Sequence, residues 1–463
     1  MKRSKTSLTE GSIVKGLVSF TLPLLLGQIF QQLYNTADAI IVGNFMSDEA
    51  YAAVTSSGTL VFLLIGFFGG ISVGAGVVIA RYFGANDREK LRTAVHTTVA
   101  FSFAAGLILT AVGVTLTPQI LKLMGTPDNV LLHSVEYFRM YFAGALAISM
   151  YNGLVGILRA VGDSKHPLYY LIFSSVVNVV LDLLFVGVFR WGVWSAAAAT
   201  SISQFVSVVL CIVRLMRVKE DYRLIPRQVR FNGPMLGEVI RYGLPSGFQN
   251  SIIAIANVVV QSNINSFGSD TMAGCGTYSK LEGFAFLPIT CFTMALTTFV
   301  GQNLGAKQYE RAKKGAVFGT IVCVVLAELI GVVLLLFPEP LFRLFTDNPA
   351  ALEIGVRQAK VEALFFCMLA FSHCVAAVLR GAGRPMVPMF VMLGVWCILR
   401  VSYLTIMLRY IHEQWVIFTA YPLTWTVSSV IFLIFFLASD WLHAFDRDER
   451  KRALKSQRNG DAR

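Results

Sequence analysis

The chain has 463 residues, enough for about three soluble domains of ordinary size, yet 55% of it is hydrophobic and only 14% is charged, with 35 Phe and a mean hydropathy of +0.64. Soluble domains carry roughly 25% charged residues, so an apolar excess of this size has to face lipid. The net charge of +12, from 39 Lys and Arg against 27 Asp and Glu, admits either nucleic acid or a membrane surface as partner until the positions of the charges decide.

From the N-terminus, a polar and basic stretch, Met1 to Gly16, runs into an apolar segment that continues past Ile40 without a small-residue cleavage site. That pattern predicts a retained span rather than a signal peptide. Since a bilayer core takes roughly 20 apolar residues in helical form, the sequence predicts spans over 14–43, 51–80, 93–117, 134–160, 168–189, 193–216, 243–267, 272–304, 315–337, 355–380, 386–410 and 415–438. The expected fold class is therefore an all-α polytopic membrane protein with twelve transmembrane helices. No soluble domain fits between them. Basic residues concentrate on the connections that share a side with the N-terminus: Lys2, Arg3, Lys5 and Lys15, the stretch 81–92, the segment 217–241 and the tail from Arg447. The positive-inside rule then places both termini in the cytoplasm of a cell-membrane protein. Most of the net charge is a topology signal, and nucleic acid is not needed to explain it. The seven Cys (211, 275, 291, 323, 367, 374 and 397) all fall in apolar runs without metal-ligand spacing and read as free buried thiols.

The chain also matches itself. Gly-Leu-Pro at Pro23 (as Thr-Leu-Pro) and Pro245 lies at an offset of 222, Gly84-Ala85 and Gly305-Ala306 at 221, and Leu158-Arg159-Ala-Val-Gly162 and Leu379-Arg380-Gly-Ala-Gly383 again at 221, with Pro167 on Pro388. Two homologous six-helix lobes explain this, and because six is even they form a parallel repeat. The expected organisation is a cytoplasmic tail 1–13, an N-lobe 14–216, a cytoplasmic linker 217–242, a C-lobe 243–438 and a basic cytoplasmic tail 439–463. Transporters place their sites between such repeats.

No Gly-Lys dipeptide occurs, so a Walker A loop and ATP drive are excluded. His-Glu-x-x-His and Gly-x-Ser-x-Gly are absent as well, and no enzyme chemistry is expected. Ion coupling directs attention to intramembrane ionisable groups, which are costly and therefore functional by default. Asp38 lies in the first span and Asp182 in the fifth, with Asn178 one turn before Asp182 and Thr200 in the sixth span. Such oxygens suit Na⁺ or a shared proton. The competing reading is a capping Asp38 and an Asp182 satisfied by its neighbours. At the repeat offset Asp38 falls on Val260 or Val259, Asn178 on Leu399, Asp182 on Tyr403 and Thr200 on Tyr421, so the second half is expected to fold without these groups.

Pro23, Gln31-Gln32-Leu33-Tyr34-Asn35-x-x-Asp38, Val42-Gly43, Gly-Ala-x-Asp after the second span and Leu-Arg-x-x-Gly-Asp163 after the fourth together resemble the multidrug and toxic compound extrusion (MATE) family, over almost all twelve spans. The resemblance implies a V-shaped pair of lobes that exports small organic, often cationic or amphipathic, compounds by antiport against Na⁺ or H⁺, as a monomer and without a cofactor. It places the ion and proton network on Asp38, Asn178, Asp182 and Thr200, with Tyr137 as a further member. Gln31, Tyr34, Asn35 and Asn152 fall on the N-lobe cavity, and Pro23 on the bend of the first helix. The alternative within the same broader fold is a flippase for lipid-linked oligosaccharide or peptidoglycan precursors, which would need several basic residues for pyrophosphate.

Span seven lacks the acid that some family members use for a C-lobe cation site. Lys280, Glu282, Glu328, Glu362 and Arg400 could still form a second coupling site, but mutual neutralising pairs are the expected reading, and His373 is expected to be a packing residue. Gly66, Gly70 and Gly74 are spaced for close helix approach within the lobe.

Overall fold

The computed structural model describes residues 7–46, 58–123, 126 and 128–450. The basic residues Lys2, Arg3 and Lys5, residues 51–57 of the second expected span, and the tail from Lys451 lie outside the described residues. Among the described residues all regular structure is helical. The long helices are α1 (Ile13–Phe45), α2 (Gly58–Gly84), α3 (Arg88–Leu123), α4 (Asp128–Ala143), α5 (Ala145–Ala160), α6 (Lys165–Asp182) and α7 (Trp194–Arg217). They are followed by α8 (Gly233–Asn265), α9 (Ser269–Gly305), α10 (Tyr309–Leu336), the short α11 (Pro338–Arg343), α12 (Pro349–Glu362), α13 (Phe366–Gly381), α14 (Met386–Met392), α15 (Arg400–Tyr410) and α16 (Gln414–Ala438).

Ten of the described helices or helix runs are long and apolar enough to cross a bilayer, and α4 with α5, bent by 43°, makes an eleventh. The remaining expected span, the second, corresponds to α2, whose Gly69–Gly84 part is a shorter apolar helix. The protein is thus a multi-pass membrane protein. The bend between α4 and α5 sits at Gly144, where a Cβ would collide with the Ser201 side chain of α7. Without a side chain there, the two helices turn closely against their neighbour.

The chain forms two compact units, one built from Leu22–Gly247 and the other from Leu8–Thr21 with the chain from Phe248 onward. In the first, α3 packs on α4 and α5, α2 on α5, and α7 on α4, α5 and α6. Gly70 and Gly74 pass so close to Gly247 and Gly243 that a Cβ on either would meet backbone, so this glycine stripe serves packing inside the unit. The buried Arg81 pairs with Glu238 at 3.0 Å, and the Tyr82 hydroxyl donates to the same carboxylate at 2.9 Å. In the second unit α9 packs on α10, α12 and α13. Its N-terminal piece is held by Arg311, which donates to the carbonyls of Gly11 at 2.7 Å and Glu10 at 2.9 Å. Leu17 is fully buried there. Pro23 lies inside α1 and Pro245 inside α8. Each lacks the N–H that would close the helical hydrogen bond four residues back, and each sits within two residues of the place where the chain passes from one unit to the other.

The repeat is written in the backbone. Asn86 and Lys307 both have positive φ (56° and 58°), as do Gly162 and Gly383 (88° and 76°). The helix ends there close in the same way: Asp87 N–H donates to Tyr82 O and Gln308 N–H to Asn303 O, while Asp163 N–H donates to Leu158 O and Arg384 N–H to Leu379 O. Each is a Schellman-type ending with the left-handed residue just past the helix.

One difference breaks the register. Residues Leu393–Leu399 form a π-helical stretch between α14 and α15, where the first unit has regular α-helix; the first unit has its own π stretch later, at Leu183–Val188. A π turn accommodates one extra residue. The offset therefore rises from 221 at Pro167/Pro388 to 222 beyond Leu399, and returns to 221 by Trp194/Trp415.

Candidate ion-coupling site

Asp182 and Asn178 on α6 are fully buried, and Asp38 on α1 is partly buried. The Asp38 and Asp182 carboxyls are close neighbours. With its amide turned so that both atoms are satisfied, Asn178 Nδ2 donates to Asp182 Oδ2 at 2.7 Å and its Oδ1 accepts from the Thr200 N–H at 3.1 Å. Three helices, α1, α6 and α7, thus converge on one polar point in an apolar unit. Two ionised carboxylates held this close repel, and a proton or a cation between them relieves that repulsion.

The predicted oxygens do not all point inward in the same way. Thr200 Oγ1 donates to Ala196 O at 3.1 Å, so its backbone N–H is what engages Asn178. Asp38 Oδ1 and Asp182 Oδ1 remain without a hydrogen-bond partner in the protein. Buried polar atoms without a protein partner call for an explanation, and these two make the pair a candidate place for a proton or a cation.

Tyr34, expected on the cavity, lies near Thr200 and both acids. Tyr137 lies close to Asp38 and stacks on Tyr141, with ring centroids 6.2 Å apart. Sequence reasoning missed Tyr141, although its spacing of four from Tyr137 on one helix face was a usable signal. Gln31 and Asn35 are exposed on α1, on the face that carries Asp38. Asn152 is exposed as well; its Nδ2 donates to Ile148 O at 2.9 Å, and it lines a small recess with Ser72 and Ser149. These three are not joined to the carboxyl cluster.

In the second unit the charged residues separate into distinct places. Lys280 sits over the Phe345 ring, and Glu328 accepts from the Cys367 N–H at 2.8 Å. Glu282, Glu362 and Arg400 are mutual electrostatic neighbours, but among the described residues they close no ion pair, so the expected neutralisation by direct pairing is not what holds them. His373 packs edge-on against Phe286 and Trp396.

The π stretch also corrects the expected correspondence between halves. Counted with one extra residue in that stretch, Asn178 corresponds to Arg400 and Asp182 to Leu404, whereas the plain offset of 221 gives Leu399 and Tyr403. Val260 and Leu404 are buried in one apolar cluster, against which Tyr403 and Tyr421 both pack. Arg400 lies over the Tyr421 ring as Asn178 lies against Thr200.

The MatE family model matches residues 23–184 and again 245–406, two copies whose ends are 222 apart. The probable multidrug resistance protein YoeA of Bacillus subtilis is 28% identical over 82% of this chain and 84% of its own length. The probable multidrug resistance protein NorM of Thermotoga maritima is 26% identical over 93% of each. A MOP superfamily transporter from Pyrococcus furiosus shares the fold, with a TM-score of 0.87 over 94% of this chain and 98% of that one at 23% identity. With both halves matched, the internal repeat in the backbone and that shared fold, the chain belongs to the MATE family of membrane transporters.

Proposed function

We propose that the protein is a secondary active efflux antiporter that exports small organic cations or amphipathic compounds and couples their exit to inward movement of Na⁺ or H⁺ by alternating access. The observation that carries this reading is the cluster of Asp38, Asp182, Asn178 and Thr200, with Tyr34 and Tyr137 beside it, inside membrane-spanning helices. The relatives named for multidrug resistance support the cargo class.

A proton shared by Asp38 and Asp182 satisfies the pair; a monovalent cation between the two unpartnered oxygens does the same electrostatic work. Either ion removes the repulsion that would drive the carboxylates apart. Because Asp38 rides on α1 beyond Pro23 and Asp182 on α6, occupancy changes how strongly the two helices hold together. Pro23, at a site without a closing backbone bond, is the place where α1 yields. Gln31, Asn35 and Asn152, which are exposed, present amides to cargo.

In this reading the functional lobes are 14–216 and 243–438, joined by a cytoplasmic linker at 217–242. The termini are cytoplasmic, the membrane is the cell membrane and the chain works as a monomer. In proteoliposomes, an imposed Na⁺ or H⁺ gradient is expected to drive accumulation of a fluorescent organic cation. Asp38→Asn abolishes that response, and undiminished transport in this variant would overturn the assignment.

A further inference from the structure

Each leading helix begins in one unit and continues in the other. Residues Leu8–Thr21 belong to the second unit although most of α1 lies in the first, and the start of α8, up to Gly247, belongs to the first although the rest lies in the second. The same face docks in both cases. At the offset of 222 that relates Pro23 to Pro245, Leu17 stands on Val239 and Phe20 on Tyr242, and all four side chains are buried. Residues three apart share one side of a helix. The groups that hold the two starts are matched as well. At the offset of 221 that relates Gly84 to Gly305, Arg81 and Tyr82 near the end of α2 stand on Gln302 and Asn303 near the end of α9. Arg81 and Tyr82 hold the Glu238 carboxylate of α8 at 3.0 and 2.9 Å. Gln302 and Asn303 hold the chain just before α1: Leu8 N–H donates to Gln302 Oε1 at 2.9 Å, and Asn303 Nδ2 donates to Leu8 O at 3.4 Å. Arg311 of α10 adds its bonds to the carbonyls of Gly11 and Glu10, and a further one to Leu8 O at 3.2 Å.

Both sets of polar groups thus sit at equivalent positions, and each catches the start of a helix that continues in the opposite unit. We propose that they are permanent clamps, Arg81 and Tyr82 fixing the start of α8 and Gln302, Asn303 and Arg311 fixing that of α1, which stay shut through the transport cycle and act as positioning residues for it. A helix held at its start by one unit and continued in the other has to absorb any movement between the units over the few residues where it crosses. In α1 and α8 those residues adjoin Pro23 and Pro245, where a backbone hydrogen bond is already missing. If a clamp slips, the start of the helix peels away, and the movement is spent there instead of reaching the part of α1 that carries Asp38. Residues far from the bound ion and cargo then set the turnover. The clamps differ in chemistry, one being a buried ion pair and the other a set of amides and carbonyls joined by the half-buried Arg311. The second can be opened by replacing Arg311 without stranding a buried carboxylate. This inference rests on the alternating-access reading proposed above.

The test uses the full chain in proteoliposomes, with Cys367→Ala as the parent because the other six Cys are buried. Arg311→Cys opens the second clamp and is expected to lower the turnover of gradient-driven export several-fold, while the half-saturating cargo concentration stays as in the parent. Joining that thiol to one at Glu10→Cys with a short bismaleimide is expected to return turnover to the parent level, a rescue that a role in folding alone would not give. A cross-linked protein that stays slow, or stops, overturns the proposal, because a clamp that has to open in the cycle cannot be shut covalently. Full turnover in Arg311→Cys before cross-linking overturns it as well. If Arg311→Cys fails to fold, Gln302→Ala, which removes the acceptor of the Leu8 N–H, should lower the turnover of the folded protein with the half-saturating cargo concentration unchanged, and undiminished turnover overturns the proposal. A parent chain without gradient-driven export refutes the antiport reading and leaves the clamps to be judged by amide hydrogen exchange. Arg311→Cys should then speed exchange over residues Leu8–Thr21 and the cross-link should reverse it, and exchange that responds to neither overturns the clamps.

Discussion

The two units share a backbone plan down to individual left-handed residues, yet one closes around two acids and an amide and the other around Val260, Leu404 and Arg400. The second unit shows that the fold packs at these positions without carboxylates. Buried acids in the first unit are therefore not there to hold helices together. Removing a charge from a lipid-facing scaffold lowers its insertion cost, and the ion-coupling role proposed for Asp38 and Asp182 is what would account for keeping them.

That contrast can be broken from either side. Asp38→Asn is expected to cut gradient-driven export about 100-fold, the loss typical of removing a proton-transfer group, while leaving the melting temperature of the purified protein close to that of the parent. Leu404→Ala, at the place of Asp182, should do the reverse. It leaves a cavity in the apolar cluster and costs about 2–5 kcal/mol of stability, read as a lower Tm, with ion dependence unchanged in the surviving folded fraction. Asn178→Leu falls between: it strands Asp182 Oδ2 and the Thr200 N–H, a loss of about 1–3 kcal/mol, and shifts the ion concentration for half-maximal transport. The smallest effect belongs to the exposed Arg357–Glu353 pair, 2.6 Å apart. Arg357→Ala should move stability by no more than about 0.5 kcal/mol in thermal unfolding.

Much of this was legible in the sequence. The spans follow from runs of apolar residues, and the repeat from Pro23/Pro245, Gly162/Gly383 and the Gly-Ala pairs, which recur because helix ends and bends need special backbone. Asp38, Asn178 and Asp182 stood out because polar groups are rare in such runs. The one-residue slip at Leu393–Leu399 was not legible: a π turn adds a residue inside a continuous apolar stretch and leaves no polar marker. Without it Arg400 looked unrelated to Asn178. Tyr34 is placed on the cavity by the family resemblance, and its nearness to Asp38, Asp182 and Thr200 leaves no mark in the spacing of residues along the chain. The bend between α4 and α5 hid inside one apolar run, since Gly144 differs from its neighbours only in the close approach of Ser201.

The central claim is that the coupling ion is held by Asp38 with Asp182 in the first unit. The most direct measurement is export of an organic cation from proteoliposomes with the pH and Na⁺ gradients varied independently, in the parent chain and in Asp38→Asn. The account predicts that the parent responds to at least one gradient and that the variant responds to neither. A variant that follows the same gradient with the same slope would contradict it.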